Sequence, residues 1–301
     1  MKTFLALTKR NVKLFFKDKG MFFSSLITPI ILLVLYATFL AKVYKDAFAT
    51  SSDGFPVSDK IVNGIVAGQL VSSLLAVTCI TVAFCSNLLM IQDKVTGARK
   101  DLLVSPVKPR TISLSYFAAT FLSTIIVNLV ACIVGFGYIA VQGWFLTFAD
   151  VVLLLADVIL LTLFGTALSS FINALLSTNG QASAVGTIVS AGYGFLCGAY
   201  MPIESFPDYL KGILMFLPGT YGTALIRNHT MSGSLNEMAN ILPEAQKEFV
   251  IKKMRDGIDC NIYFFGNKVE MWVMYLVLAL AVVVCVGAYV MVSRMLAKKH
   301  K

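Results

Sequence analysis

Charged residues are scarce in this sequence. They make up 14% of the 301 residues, whereas 57% are hydrophobic. A soluble domain contains about 25% charged residues, so this composition excludes an ordinary soluble protein and predicts an integral membrane protein. The apolar runs exceed the ~18 residues that indicate a transmembrane helix, and nothing resembles the alternating ~10-residue strands of a membrane barrel. The predicted fold class is therefore all-α.

Side chains that bind metals or perform catalysis are also rare. The chain has two histidines, His229 and His300, and six scattered cysteines, of which only Cys260 lies in a polar segment. A metal or haem site is therefore not expected, and whether Cys260 forms a disulfide is left open. No P-loop, G-x-S-x-G or H-E-x-x-H motif occurs. We expect neither catalysis nor a bound cofactor within this chain.

The apolar runs predict six transmembrane helices in a single domain of residues 1–301. The predicted spans are residues 21–41, 61–91, 112–140, 148–176, 181–201 and 269–292.

Two segments outside these spans have structure of their own. Residues 1–20 predict an amphipathic helix on the membrane surface, because their basic side chains cluster on one side of a helical wheel. Residues 202–228 are apolar but interrupted by prolines, and predict a re-entrant pair of short outer helices. A polar extracellular segment of unassigned role, residues 229–268, is expected to follow, with a helix over residues 243–256.

The loop of residues 92–112 is a short charged island between two long apolar runs. Residues 93–104 have the composition of a short amphipathic helix, which Ser105-Pro106 would end, because proline disfavours helix in the residue before it. A helix outside the bilayer between two spans predicts a contact with another protein.

Basic residues are concentrated on one side of the predicted topology. The N-terminal helix, the loop of residues 92–112 and the C-terminal tail hold fifteen basic and three acidic residues, against ten and thirteen elsewhere. Basic residues in short loops stay in the cytoplasm, so both termini are predicted to be cytoplasmic. The net charge of +9 therefore reflects orientation, and nucleic-acid binding is not expected.

Polar residues within the predicted spans are candidates for a pathway. Gln69, Ser73 and Asn87 share one face of the second span. They predict either a substrate-facing wall, with Thr187 of the fifth span, or hydrogen bonds between helices. Asp157 is the only acidic residue well inside a span, and it is either a functional group or a carboxylate near the outer interface.

Small residues recur at every fourth position of the fifth span: Ala182, Gly186, Ser190, Gly194 and Gly198. Such a stripe lets two membrane helices approach closely. We predict that Gly186, Ser190, Gly194 and Gly198 form a helix-packing or dimer interface, and the stripe leaves open whether the partner helix belongs to a second copy.

Two stretches resemble a known family. LLMIQDKVTGARKDLLVSPVKPRTISLSYFAAT and MPIESFPDYLKGILMFLPGTYGTALIR, together with the order of helices, are similar to the type-2 permease subunits of ATP-binding cassette exporters. The resemblance implies a pair of such subunits, identical or related. Each would rest on a separate ATPase subunit that binds the ATP and Mg²⁺.

The resemblance also implies site residues. The loop would hold the coupling helix seated in the ATPase, with the N-terminal helix as a second contact, and the substrate would be a drug, lipid or peptide moved outward between the two copies. The implied coupling residues are Asp93, Lys94, Gly97, Arg99, Lys100, Asp101 and Leu102.

Two other functions fit parts of the pattern. A membrane sensor could bind a ligand through its outer segment and signal through the loop, and an ion-coupled carrier could work through Asp157. In each case the chain is expected to be a multi-pass protein of the plasma membrane of a bacterial cell, in contact with membrane lipid. The substrate is not identified by the sequence.

Overall fold

The computed structural model describes residues 1–43, 45 and 58–299. Most of the predicted outer loop of residues 42–60 lies outside this part of the chain. The described helices are α1 Lys2–Lys17, α2 Lys19–Leu35, α3 Asp59–Val95, α4 Ala98–Val104, α5 Pro109–Gln142, α6 Phe148–Leu175, α7 Asn179–Leu196, α8 Asp208–Leu214, α9 Pro218–Ile241, α10 Glu244–Gly257 and α11 Met271–Lys299. A π-helical turn, Tyr36–Leu40, continues α2, a 3₁₀ turn, Ile203–Ser205, precedes α8, and strands β1 Tyr263–Phe264 and β2 Asn267–Lys268 form an antiparallel hairpin.

Helix α3 is the centre of the bundle. Every residue from Gly64 to Asn87 is buried, because α2, α5, α6, α7 and α9 pack around this helix. Small residues allow close contacts here: a Cβ at Gly165 of α6 would lie 2.6 Å from the Cys79 carbonyl oxygen. A helix surrounded on all sides needs no amphipathic pattern, which explains why its apolar residues show no single face.

The two ends of the bundle differ. We call the end with α1, α4, the start of α5 and the end of α11 the basic end. The opposite end, which holds the turn of residues 143–147, α10 and the β-hairpin, is called the hairpin end. Tyr289 of α11 donates a hydrogen bond to the Ser113 carbonyl of α5 at 2.8 Å, which places the last turns of α11 at the basic end.

Five helices of the described chain are long and apolar enough to cross a membrane: Lys19–Val43, Asp59–Val95, Pro109–Gln142, Phe148–Leu175 and Met271–Met295. They coincide with five of the six predicted spans. The predicted fifth span, residues 181–201, is not among them: α7 ends at Leu196, and its polar first turn and its glycines make its 18 residues less apolar than the other spans. Gly198 lies beyond that end in a left-handed turn with φ 74°, so its predicted place on a helical stripe is wrong.

The predicted re-entrant pair is also different in the structure. Its second helix, α9, does not end near Asn228 but continues to Ile241 and packs against α3, α6 and α11. Met231, Leu235 and Met238 are buried in the core at the hairpin end. Residues 229–241 are therefore part of the bundle, and only α10 and the hairpin match the predicted polar segment.

At Gly233, α9 closely approaches the turn of residues 143–147. A Cβ at this position would lie 1.9 Å from the carbonyl oxygen of Phe145. We expect Gly233→Ala to lower the free energy of unfolding by about 1–3 kcal/mol, because the backbone of the turn must move. Thermal unfolding in detergent measures the effect. Gly287→Ala on α11 is the matched control, since a Cβ there meets nothing within 4 Å; equal stability of both variants would contradict the close contact.

Candidate functional site

The loop at the basic end is built from two helices with a sharp break between them. Helix α3 continues to Val95, and Gly97 follows with φ 87°, a left-handed conformation that suits glycine. Helix α4 then covers only Ala98–Val104. The predicted single helix over residues 93–104 is therefore wrong: Asp93 and Lys94 belong to the last turn of α3.

Helix α4 is attached through one side and open on the other. Leu102 and Leu103 are half-buried and pack against a core cluster that includes Phe15 of α1 and Tyr116 of α5. Lys100 and Asp101 are exposed, and Arg99 and Gly97 are partly exposed. The charged side of α4 is available to a partner at the basic end.

Asp93 joins three helices at the base of this loop. Its carboxylate accepts hydrogen bonds from both terminal nitrogens of Arg10 of α1, at 2.7 and 3.2 Å, and from the Tyr116 hydroxyl of α5 at 2.6 Å. Asp93 is only 5% exposed. The hydrogen bond to Asp93 is also the main reason that the pKa of Arg10 is raised. Asp93 therefore binds within its own chain, and its predicted direct contact with an ATPase does not fit this placement.

Lys94 is likewise turned toward its own chain. Its Nζ donates to the carbonyl oxygens of Asn173, Ala174 and Leu176 at 3.1, 2.8 and 2.7 Å. The C-terminal carbonyls of a helix lack partners within the helix and carry partial negative charge, so a lysine there satisfies and stabilises the end of α6. Residues 96–108, between α3 and α5, are called the α4 loop. Together, Asp93 and Lys94 connect the start of this loop to α1, α5 and α6.

The predicted pathway residues of α3 are all inside the bundle. Gln69 and Ser73 are 0% exposed and Asn87 is 1% exposed. Asn87 donates to the hydroxyls of Ser169 and Ser170 of α6, at 3.3 and 2.9 Å. These placements contradict a substrate-facing wall on α3, and the contacts of Asn87 fit the alternative, hydrogen bonding between helices. Thr187 differs, because it is exposed on α7.

Asp157 lies in a buried polar cluster on α6. It is 1% exposed; one carboxylate oxygen lies 2.5 Å from His229 Nδ1 of α9, and the other accepts from the Tyr275 hydroxyl of α11 at 2.6 Å. A buried carboxylate needs such partners. The cluster ties α6, α9 and α11 together.

The small residues of α7 differ in how closely they pack against the described part of the chain. Only Ala182 and Gly194 are buried in this helix. Nothing lies within 4 Å of a Cβ at Gly186, whereas one at Gly194 would meet the Tyr200 ring at 2.3 Å. Ser190 is half-buried. Of the stripe, Gly186 therefore has open space beside it in the described part of this chain.

The potential metal ligands and the cysteines of the chain can be located in the structure. Within the described residues, no group of three or more His, Cys, Asp or Glu side chains could hold a metal ion. All six cysteines, Cys260 included, are free thiols.

Several residues of these networks were not predicted from the sequence. Tyr116, His229 and Tyr275 all bind a carboxylate that lies more than twenty residues away. One signal was available: a carboxylate inside a span requires a partner, and His229 is one of only two histidines. Nothing local indicates Tyr116, because a tyrosine near the start of a span is common at membrane interfaces.

Comparison with known proteins bears on this arrangement. The model of the ABC-2 type transporter family matches residues 2–230, which include α1, the α4 loop and the first half of α9. A search of curated proteins finds no match. The match covers well over half of the chain, and the helical membrane architecture agrees with it. This chain therefore belongs to the ABC-2 type transporter family, whose members are transmembrane permease subunits.

Proposed function

We propose that this chain is the permease subunit of an ATP-driven exporter, powered by a separate ATP-binding cassette ATPase that docks at the basic end. The ATPase, not this chain, binds ATP and Mg²⁺. The substrate is hydrophobic or amphipathic, in the class of drugs, lipids and peptides.

The observation that carries this proposal is the construction of the α4 loop. The helix is short, exposed and charged on one side, and is anchored through Leu102 and Leu103 on the other. A partner that pushes on Arg99, Lys100 and Asp101 would act on a segment that is attached to the core. Asp93 and Lys94 at its base would pass that displacement to α1, α5 and α6.

The transport cycle would use this connection. ATP-driven closure of the ATPases would move α4 and favour one of two arrangements of the spans, open inward or open outward. The orientation of the chain in the membrane follows from its charge. Lys and Arg outnumber Asp and Glu at the basic end, so this end is cytoplasmic, where ATP is available.

The exposed faces of α2 and α7 support pairing of two permease subunits. Helix α7 contains no charged residue, and α2 contains only Lys19. Ile30 of α2 and Ile188 of α7 are 52% and 69% exposed. Gln69, Ser73 and Asn87 are buried, so we do not assign them to the pathway between two copies or related chains. We assign this pathway to α2 and α7, where Thr187 and the small residues around Gly186 would lie along it.

Reversing the charge of α4 tests the proposal. We expect the triple variant Gly97→Pro, Arg99→Glu, Lys100→Glu to lose transport and stimulation of the partner's ATPase activity by more than tenfold, because the contact surface changes sign and the left-handed turn cannot form. Membrane insertion should be unchanged, since the three residues are not buried. Substrate efflux from cells and ATPase activity of the co-purified complex are the measurements.

A matched control places the same charge change at the other end of the molecule. Lys252→Glu with Lys253→Glu alters two exposed lysines of α10 at the hairpin end, and should leave both activities intact. Normal ATPase stimulation in the α4 variant would remove the coupling role of this helix.

A further inference from the structure

A groove of about 480 Å³ lies on the outside of the bundle at the basic end. Its lining comes entirely from two helices: the first turns of α5 and the last turns of α11. Both helices are long and apolar enough to span a membrane. The groove therefore opens toward lipid, close to where these helices leave the bilayer.

The floor of the groove is apolar and firmly built. Phe117 of α5 stacks on Tyr289 of α11, with ring centroids 6.2 Å apart and an interplanar angle of 27°. Tyr289 also donates to the Ser113 carbonyl, so its hydroxyl is satisfied. Beside these rings, Leu114 is 55% exposed and Val290 is 40% exposed. This surface can receive a hydrocarbon chain.

Two arginines line the groove. Arg110 belongs to the first turn of α5 and Arg294 to the last turns of α11, and both are exposed. Within residues 1–43, 45 and 58–299, neither guanidinium forms an ion pair. Neither α5 nor α11 contains an acidic residue, and α1, which packs on α5, contains none either. Among the described residues, no carboxylate therefore pairs with either of these two charges.

We propose that this groove is a binding site for an anionic phospholipid. Arg110 and Arg294 bind the phosphate, the Ser293 hydroxyl lies beside it, and one acyl chain lies along Leu114, Phe117 and Val290. Guanidinium groups suit phosphate because their planar donors match its oxygens. The volume is in the usual range of ligand sites, about 300–1,000 Å³. The proposal does not depend on the direction of transport or on the substrate.

Binding of two lipids by the full-length purified chain tests the proposal. Phosphatidylglycerol and phosphatidylcholine are offered in mixed detergent micelles, and retained lipid is counted by native mass spectrometry. We expect phosphatidylglycerol to be retained preferentially. Arg110→Gln with Arg294→Gln should weaken its retention about 25-fold, because each basic residue near an anionic lipid contributes about fivefold. Lys252→Gln with Lys253→Gln on α10 is the charge-matched control and should have no effect.

Two further measurements distinguish binding of a lipid in the groove from binding of a free phosphate ion. Leu114→Gln, at an exposed site, should weaken phosphatidylglycerol retention although both arginines remain. Inorganic phosphate in excess should not displace the bound lipid, because it lacks the acyl chain. Equal retention of the two lipids by the wild-type chain, or equal loss in the arginine variant and the α10 control, would overturn the proposal. Displacement by phosphate, with Leu114→Gln unaffected, would also overturn it by assigning a site for the free anion.

Discussion

Replacing Arg227 by methionine is expected to destabilise the hairpin end of the bundle by about 3–5 kcal/mol, because it leaves a buried carboxylate without its counter-charge. Arg227 of α9 is 1% exposed. Its Nη1 lies 3.0 Å from Asp259, and its Nη2 donates to the Gly198 carbonyl at 2.8 Å. Asp259 in turn accepts from the backbone amide of Ile203 at 2.8 Å. One ion pair thus connects α9, the turn after α7 and the segment after α10.

A double substitution separates the lost pair from a simple packing defect. Asp259 has φ 53°, a conformation that asparagine tolerates well, so Asp259→Asn removes the charge without straining the backbone. We expect Arg227→Met combined with Asp259→Asn to recover much of the stability lost by Arg227→Met alone. Thermal unfolding in detergent measures all three variants, and Lys252→Met, at an exposed site of α10, controls for loss of a positive charge. If the double variant is no more stable than Arg227→Met, the isolated charge is not the cause.

The loss of stability caused by Arg227→Met should depend on pH. Burial raises the pKa of Asp259, and Arg227 opposes that rise. Without Arg227, the pKa in the folded state moves further above its value in the unfolded chain, so the folded state binds more protons between the two pKa values. Stability then falls as the pH rises through this interval, and the deficit of Arg227→Met should be smaller at about pH 5 than at about pH 8. A deficit that does not change with pH would contradict this assignment.

This ion pair also shows where local sequence reasoning fails. The run from Arg227 to Thr230 is polar and follows several prolines, so it predicts the end of a membrane-embedded segment and the start of a solvated one. In the structure, each of its long polar side chains has a buried partner: Arg227 binds Asp259, Asn228 donates to the Cys260 carbonyl at 2.6 Å, and His229 binds Asp157. The partners lie about 30 to 70 residues away. No local periodicity contains that information.

The long apolar helices were predictable for a physical reason. A helix that crosses lipid must satisfy its backbone hydrogen bonds internally and must be apolar over its whole length, so hydropathy alone detects it. α3, α5, α6 and α11 fit this rule. α7 is shorter and contains four glycines before Leu196, and it begins with Asn179 and ends in a turn; its apolar continuation past the helix made the predicted span too long.

The segment that holds α4 was predicted only in part. The concentration of charge marked residues 92–112 as a distinct loop, whereas in the structure α3 continues to Val95 and α5 begins at Pro109. Gly97 can adopt a helical or a left-handed conformation, and the composition of the loop did not distinguish between them. The direction of Asp93 depended on Arg10, 83 residues away.

The second substitution with a large expected effect removes the carboxylate of Asp93. We expect Asp93→Ala to reduce ATPase stimulation and transport about tenfold or more. The substitution leaves the Tyr116 hydroxyl without its partner, a cost of about 1–3 kcal/mol, and frees Arg10 from the base of the α4 loop. A coupling free energy of that size corresponds to about a 5–150-fold change. Arg10 is partly exposed and can be hydrated, so the protein should still fold and insert.

A pair of variants locates the effect in the connection rather than in the ATPase contact. Arg10→Gln and Asp93→Asn remove the same charge pair from opposite sides, so their combined effect on ATPase stimulation should be much smaller than the sum of the two single effects. Tyr116→Phe should cause a smaller loss, since it leaves the contact of Arg10 with Asp93 in place. Binding of the ATPase should survive in all of these variants, because α4 and its exposed Lys100 and Asp101 are unchanged. Strict additivity of Arg10→Gln and Asp93→Asn would show that the two residues act separately and that displacement of α4 reaches α1 by another route.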